Sequence, residues 1–223
     1  MPDSDLLPRV EIEPTAAGAP ATVLWLHGLG ADGHDFEPIV PYLGLPWARF
    51  VFPHAPSRPV TINQGYVMPA WYDITGLGRG GADVAHVAET RSRITALLDR
   101  ESERGVPSER IVLAGFSQGA GIALYTGLRH PRRLAGILVA SGYELWPETL
   151  AAEAAPENLA TPILFCHGSH DDLVPAAAGR EAYEARVKEG RSAEWREFPI
   201  SHEVSMPEIE TIAAWLRARL PQT

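Results

Sequence analysis

The stretch I-V-L-A-G-F-S-Q-G-A, from Ile111 to Ala120, decides the fold. An almost wholly apolar run, Arg110 to Ala114, leads into Gly115, Phe116, Ser117, Gln118 and Gly119, a G-x-S-x-G pentapeptide. A stretch of helical period follows from Gln118 to His130, where Pro131 stops it. In this setting the serine stands on a sharp strand-to-helix turn with its hydroxyl raised above the sheet. A Cβ at either flanking position would crowd that turn, which explains the two glycines. The helix N-terminus behind Ser117 offers free N–H groups and the positive end of the helix dipole where an oxyanion would form. The competing reading is a glycine-flanked serine that merely caps a helix. The strand before and the helix after favour the nucleophile.

Working outward, the same alternation of elements repeats along the chain. Short apolar runs at Thr22–Leu26, Ala48–Phe52, Ala135–Ala140 and Pro162–Cys166 predict strands covered on both faces, as in a parallel sheet. Ala193–Phe198 alternates more and predicts a strand nearer an edge, and Val10–Glu13 predicts an N-terminal edge strand. Helices are predicted over Asp83–Arg104, Ala176–Glu189 and from about Ser205 to Leu220, with Gly105 and Gly190 closing the first two. The segment from Pro53 to Gly81 reads as one long loop. Strand followed by helix throughout predicts an α/β fold, a mostly parallel central sheet with helices on both faces joined by right-handed crossovers. No repeat or linker divides it, so one domain over residues 1–223 is expected.

Composition narrows the function classes. The 223 residues carry a net charge of −9, and no basic cluster offsets it, which argues against nucleic acid and anionic membrane surfaces as partners. The start, M-P-D-S-D, lacks the basic and apolar regions of a secretion signal, and no apolar run approaches the ~18 residues of a membrane span. Cys166 is the only cysteine, so no internal disulfide can form, and a cytoplasmic location is expected.

If Ser117 is a nucleophile, an acid and then a histidine must follow it in chain order, each after a later strand. Pro162–Cys166 is followed by H-G-S-H-D-D-L-V-P, which offers Asp171 and Asp172. Ala193–Phe198 is followed by P-I-S-H-E-V, which offers His202, the one histidine after the last strand. His27, His54, His130, His167 and His170 fit loop or strand-end roles. His167, His170, Asp171 and Asp172 also have the composition of a metal cluster, although hydrolases of this pattern need no metal. Cys166 closes an apolar strand and fits a buried, inert thiol. The first strand ends in His27, Gly28, Leu29 and Gly30, an H-G-x-G turn, so the oxyanion donors are expected to be the N–H groups of Leu29 and Gln118.

H-G-L-G-A-D-G, F-P-H-A-P-S-R-P-V-T, V-M-P-A-W-Y-D-I, G-F-S-Q-G, H-G-S-H-D-D-L-V-P and S-H-E-V together resemble the phospholipase/carboxylesterase family, from about Val23 to Leu220. That family includes bacterial carboxylesterases and acyl-protein thioesterases. The resemblance implies an α/β-hydrolase fold without a large cap domain, acting on carboxylic esters or thioesters. It also implies the acid at Asp171, since the family pattern H-G-x-x-D-x-x-V-P puts it first in the pair. Ala120 stands where many members have a second glycine, and Asp172 where eukaryotic thioesterases often have proline; the nearer likeness is to bacterial esterases. The expected activity is hydrolysis of esters with short to medium acyl chains by Ser117, His202 and Asp171. Thioesterase or lysophospholipase action is the alternative, and a non-catalytic binding protein on the same fold a remote one. Met68, Trp71, Phe116, Tyr143, Leu173 and Val174 lie beside these motifs or in the long loop and are the expected pocket residues. The partner is then a small ester or thioester, with no cofactor and no stable membrane association; self-association as a homodimer stays open.

Overall fold

The apolar runs pair into one seven-stranded sheet in the computed structural model, which describes residues 6–76 and 81–223. The M-P-D-S-D start and residues 77–80 of the long loop lie outside the described residues. The strands are β1 (Arg9–Ile12), β2 (Ala21–Leu26), β3 (Ala48–Pro53), β6 (Ile111–Phe116), β7 (Gly136–Ala140), β8 (Ile163–Gly168) and β9 (Ala193–Phe198), in the spatial order β1-β3-β2-β6-β7-β8-β9. Only β1 runs antiparallel, against β3 at one edge, and β9 closes the other edge.

Both faces of the sheet are covered, which is why its central strands are apolar throughout. In β2, Val23 and Trp25 face one core while Leu24 and Leu26 face the other. Helices α2 (Val84–Glu103), α3 (Gln118–Leu128) and α5 (Ala176–Lys188) pack on the Leu24 side. The short α1 (Val40–Leu43) and α6 (Met206–Arg219) pack on the Trp25 side. A further short helix, α4 (Pro147–Glu153), sets Leu150 into the Leu24-side core.

The expected long loop is partly ordered as a hairpin. β4 (Ser57–Val60) and β5 (Tyr66–Pro69) form a separate two-stranded sheet, joined through a single 3₁₀ turn at Thr61–Asn63. Pro59 inside β4 and Pro69 inside β5 remove the sequence signal, because proline is confined to edges and ends of sheets. Gln64 and Gly65 take positive φ (59° and 78°), which turns the chain back.

Position follows from topology. β2 lies between β3 and β6, so successive connections leave it in opposite directions across the sheet. Such a switch point opens a crevice at the carboxyl ends of the strands. The H-G-L-G turn after β2 and the serine turn after β6 meet there, with Leu26 paired to Gly115.

Candidate active site

The turn at Ser117 is as tight as its sequence requires. Ser117 has φ 55° and ψ −119°, a strained conformation for a residue with a side chain. A Cβ on Gly115 would lie 2.3 Å from the Gly119 carbonyl oxygen, and one on Gly119 would lie 2.5 Å from the carbonyl oxygens of Leu26 and His27. Both glycines are therefore steric necessities. The Ser117 N–H donates to the Ala140 carbonyl at the end of β7 (2.9 Å), which locks the turn onto the sheet.

Three side chains from three loops converge. His202 Nε2 lies 2.8 Å from Ser117 Oγ, and His202 Nδ1 lies 2.6 Å from Asp171 Oδ2. The other Asp171 oxygen accepts the backbone N–H groups of Leu173 (3.0 Å) and Val174 (2.8 Å), so the carboxylate is fixed at both ends. Asp171 is buried and its neighbour Asp172 exposed, which distinguishes the two aspartates geometrically. With an ionised carboxylate at Nδ1, the imidazole carries its proton there and leaves Nε2 to accept from the serine hydroxyl.

Supporting groups hold these three in place. The buried His167 Nε2 lies 2.8 Å from the Val174 carbonyl oxygen, and its ring stacks on Trp195. Burial lowers the His167 pKa, favouring a neutral ring whose Nε2–H donates to that carbonyl and closes the acid loop. The Phe116 ring lies 4.8 Å from the His202 ring. His27 is likewise kept neutral by burial; the Ala55 N–H donates to its Nε2 (3.1 Å), so its Nδ1–H faces the Gly28 carbonyl (2.7 Å). Of His167, His170, Asp171 and Asp172, only His167 and Asp171 approach each other (Nε2 to Oδ2, 3.5 Å), and no three His, Cys, Asp or Glu side chains among the described residues are placed to share a metal ion. Cys166 is buried in β8, and burial raises its thiol pKa well above the ordinary value.

Beside Ser117 opens a cavity of about 580 Å³. Gly28, Leu29 and Gln118 line it, and the N–H groups of Leu29 and Gln118 meet no acceptor among the described residues. They are thus free to receive an oxygen beside Ser117 Oγ. Phe116, Tyr143, Leu173 and Val174 line the cavity as expected, but two expected pocket residues do not. Trp71 is completely buried, its indole N–H donating to the His27 carbonyl (2.8 Å); it supports the H-G-L-G turn from beneath. Met68 lies in β5 with its sulfur 3.4 Å from Asn63 Nδ2, outside the cavity lining. Adjacency to a motif does not distinguish a residue that faces the cavity from one that braces its wall.

Sequence reading missed other wall residues. Ile62 and Asn63 come from the 3₁₀ turn of the hairpin, Ile74 from the segment beyond it, and Asp35 from the loop after β2. Asp35 had a signal, since it follows the H-G-L-G turn closely; Ile62 and Asn63 come from a hairpin that the sequence conceals, and Ile74 from the segment that follows it. The Gln118 side chain has a role that the pentapeptide does not disclose. Its Oε1 accepts the Trp71 N–H (2.8 Å) and its Nε2 donates to the Tyr72 carbonyl (2.9 Å), tying the serine turn to the chain beyond β5.

Comparison with known proteins agrees with this architecture. The family profile described as Phospholipase/Carboxylesterase matches residues 7–220. A probable carboxylesterase of rice (Oryza sativa subsp. japonica) is 35% identical over 229 residues, spanning 98% of this chain and 86% of its own. Acyl-protein thioesterase 1 of Gibberella zeae is 33% identical over 225 residues, spanning 93% and 94%. The crystal structure of Zea mays acyl-protein thioesterase 2 superposes with a TM-score of 0.84 at 27% identity, covering 96% of this chain and 99% of that one. The likeness therefore extends to plant and fungal proteins and is not confined to bacterial esterases. With its sheet order, its serine turn and these relatives, the chain belongs to the phospholipase/carboxylesterase family of α/β-hydrolases and is an ester or thioester hydrolase.

Proposed function

We propose that Ser117 is the nucleophile, His202 the general base, and Asp171 the residue that orients the imidazole. His202 takes the Ser117 proton as Oγ attacks the ester carbonyl carbon, and the N–H groups of Leu29 and Gln118 stabilise the oxyanion. The carbonyl-to-oxygen bond then breaks while His202 protonates the departing alcohol. Water, activated by the same imidazole, attacks the acyl-enzyme and releases the acid and free Ser117. These steps need no cofactor.

The observation that carries this reading is His202 bridging Ser117 Oγ and Asp171 Oδ2 at 2.8 and 2.6 Å. The substrates are small esters with short to medium acyl chains, in keeping with a cavity of about 580 Å³ walled by Phe116, Tyr143, Leu173 and Val174. Thioester cleavage is the second reading, favoured by 33% identity to the Gibberella zeae thioesterase, and it uses the same steps with a thiol leaving. The chain works as a single domain, consistent with one sheet running from β1 to β9. It works in the cytoplasm, where its one cysteine, buried, needs no oxidising surroundings.

Ser117→Ala should lower kcat by about 10⁶-fold with the fold intact, and a fluorophosphonate should label the parent enzyme once, at Ser117. Labelling that persists in the variant would remove the assignment. A chain-length series of matched p-nitrophenyl esters and acyl thioesters separates the two substrate readings.

A further inference from the structure

Among the described residues lining the cavity, Asp35 is the one carboxylate, and none of them is lysine or arginine. Its place is firmly set. The Asp35 N–H closes a turn onto the Asp32 carbonyl (3.2 Å), and the next residue, Phe36, is buried in an aromatic row. Phe36 stacks on Trp25 (4.9 Å) and lies 5.6 Å from Phe116, whose ring in turn rests against His202. Asp35 is thus mounted on a wall that is packed, ring by ring, to the catalytic histidine.

Among the described residues, the neighbouring charges do not neutralise it. Asp32 adds a second carboxylate, held by the His34 N–H (2.8 Å). The His34 ring is taken by Glu37 (2.8 Å), and His54 Nδ1 accepts the Gly33 N–H, leaving that nitrogen without a proton. Asp35 itself has no ion-pair partner among the described residues, and burial, together with the Asp32 charge, raises its pKa above the ordinary carboxyl value. A carboxylate with no cationic partner among the described residues, on a partly apolar wall, is a filter for substrate charge.

We propose that Asp35 is a specificity-determining residue, making the cavity accept esters and thioesters that are neutral or cationic beside the scissile bond and reject those carrying a carboxylate or phosphate there. This rests on the Ser117–His202 hydrolase reading given above. A unit charge roughly 7 Å from a solvent-accessible carboxylate, at an effective dielectric between about 40 and 80, changes binding by about fivefold. The same discrimination weakens as salt screens it.

Three butyryl thioesters differing only in the leaving thiol test it: thiocholine (cationic), its uncharged 3,3-dimethylbutyl isostere, and 3-mercaptopropionate (anionic), followed by thiol release. The parent enzyme should order kcat/KM as cationic over neutral over anionic, about fivefold per step at low ionic strength, compressing in 0.5 M NaCl (roughly a 4 Å screening length). Asp35→Asn should bring the cationic-to-anionic ratio close to one, and Asp35→Glu should preserve its direction. These ratios are taken within each enzyme, so a partly inactive preparation does not alter them. A parent enzyme indifferent to leaving-group charge, or an ordering that survives Asp35→Asn, overturns the proposal. Turnover of the neutral thioester by Ser117→Ala would instead overturn the hydrolase reading beneath it.

Discussion

The Gln118 carboxamide accepts the Trp71 N–H and donates to the Tyr72 carbonyl, so one buried side chain braces the serine turn against the segment beneath the H-G-L-G turn. Gln118 therefore acts twice, through its own N–H at the cavity and through its side chain below it. Gln118→Ala keeps the first and removes the second, leaving a buried N–H and a buried carbonyl unpaired. Each such group costs about 1–3 kcal/mol, so urea unfolding should show a loss of about 2–6 kcal/mol. Activity should fall by about tenfold, since an ångström of misplacement at a nucleophile is costly. A variant as stable as the parent would show that the bracing does not matter.

Adjacent aspartates give a sharper test of the acid. Asp171→Asn should lower kcat by about 10⁴-fold, because the imidazole then loses control of its tautomer. Asp172→Asn should change it by about threefold or less, as expected for an exposed side chain with no bond to the histidine. Steady-state kinetics on one p-nitrophenyl ester decides between them.

Asp73 controls a wall of the cavity. Its carboxylate accepts both the N–H (2.7 Å) and the hydroxyl (2.6 Å) of Thr61, and the Ile62 N–H donates to the Ile74 carbonyl (2.9 Å). Ile62, Asn63 and Ile74 line the cavity, so releasing Thr61 should loosen the acyl site. Asp73→Ala should lower kcat/KM about fivefold on medium-chain esters and little on acetyl esters, since the longer chain uses more of that wall. Combining it with Thr61→Val should add little further loss, because the two residues share one interaction. A uniform loss across all chain lengths would count against this role.

Stability should depend on pH through Glu208, a completely buried carboxyl in the first turn of α6. Burial raises its pKa to about 8, with the Ser205 N–H pulling weakly the other way. The folded state thus keeps this proton up to about pH 8, whereas the unfolded chain releases it near the ordinary value of 4.5. Its contribution to stability is complete below about pH 4.5 and is lost as pH rises through about 8. At pH 7 the loss is on the order of 3 kcal/mol, and Glu208→Gln, which cannot ionise, should be more stable there by a similar amount. Urea melts of both proteins between pH 5 and pH 8.5 (roughly the span of the transition) measure this, and parallel curves would refute it.

The sequence by itself determined the elements whose physics is local. Continuous apolar runs such as Ile111–Phe116 declare strands covered on both faces, and Gly115 and Gly119 declare a turn in which no Cβ fits. The G-x-S-x-G turn nominates Ser117, chain order after later strands nominates His202, and the family resemblance chooses Asp171 over Asp172; the structure brings all three within hydrogen-bond distance. Tertiary structure alone decided which apolar side chains face the cavity. Trp71 and Phe116 are both aromatic and both adjoin a motif, yet one is buried beneath the H-G-L-G turn and the other lines the cavity beside His202. The hairpin escaped sequence reading because Pro59 and Pro69 mask its strands, and with it went Ile62 and Asn63. Backbone sterics and burial act between neighbours in sequence and leave a readable pattern. Cavity walls are assembled from loops far apart in the chain, so their membership is fixed only when the sheet sets those loops side by side.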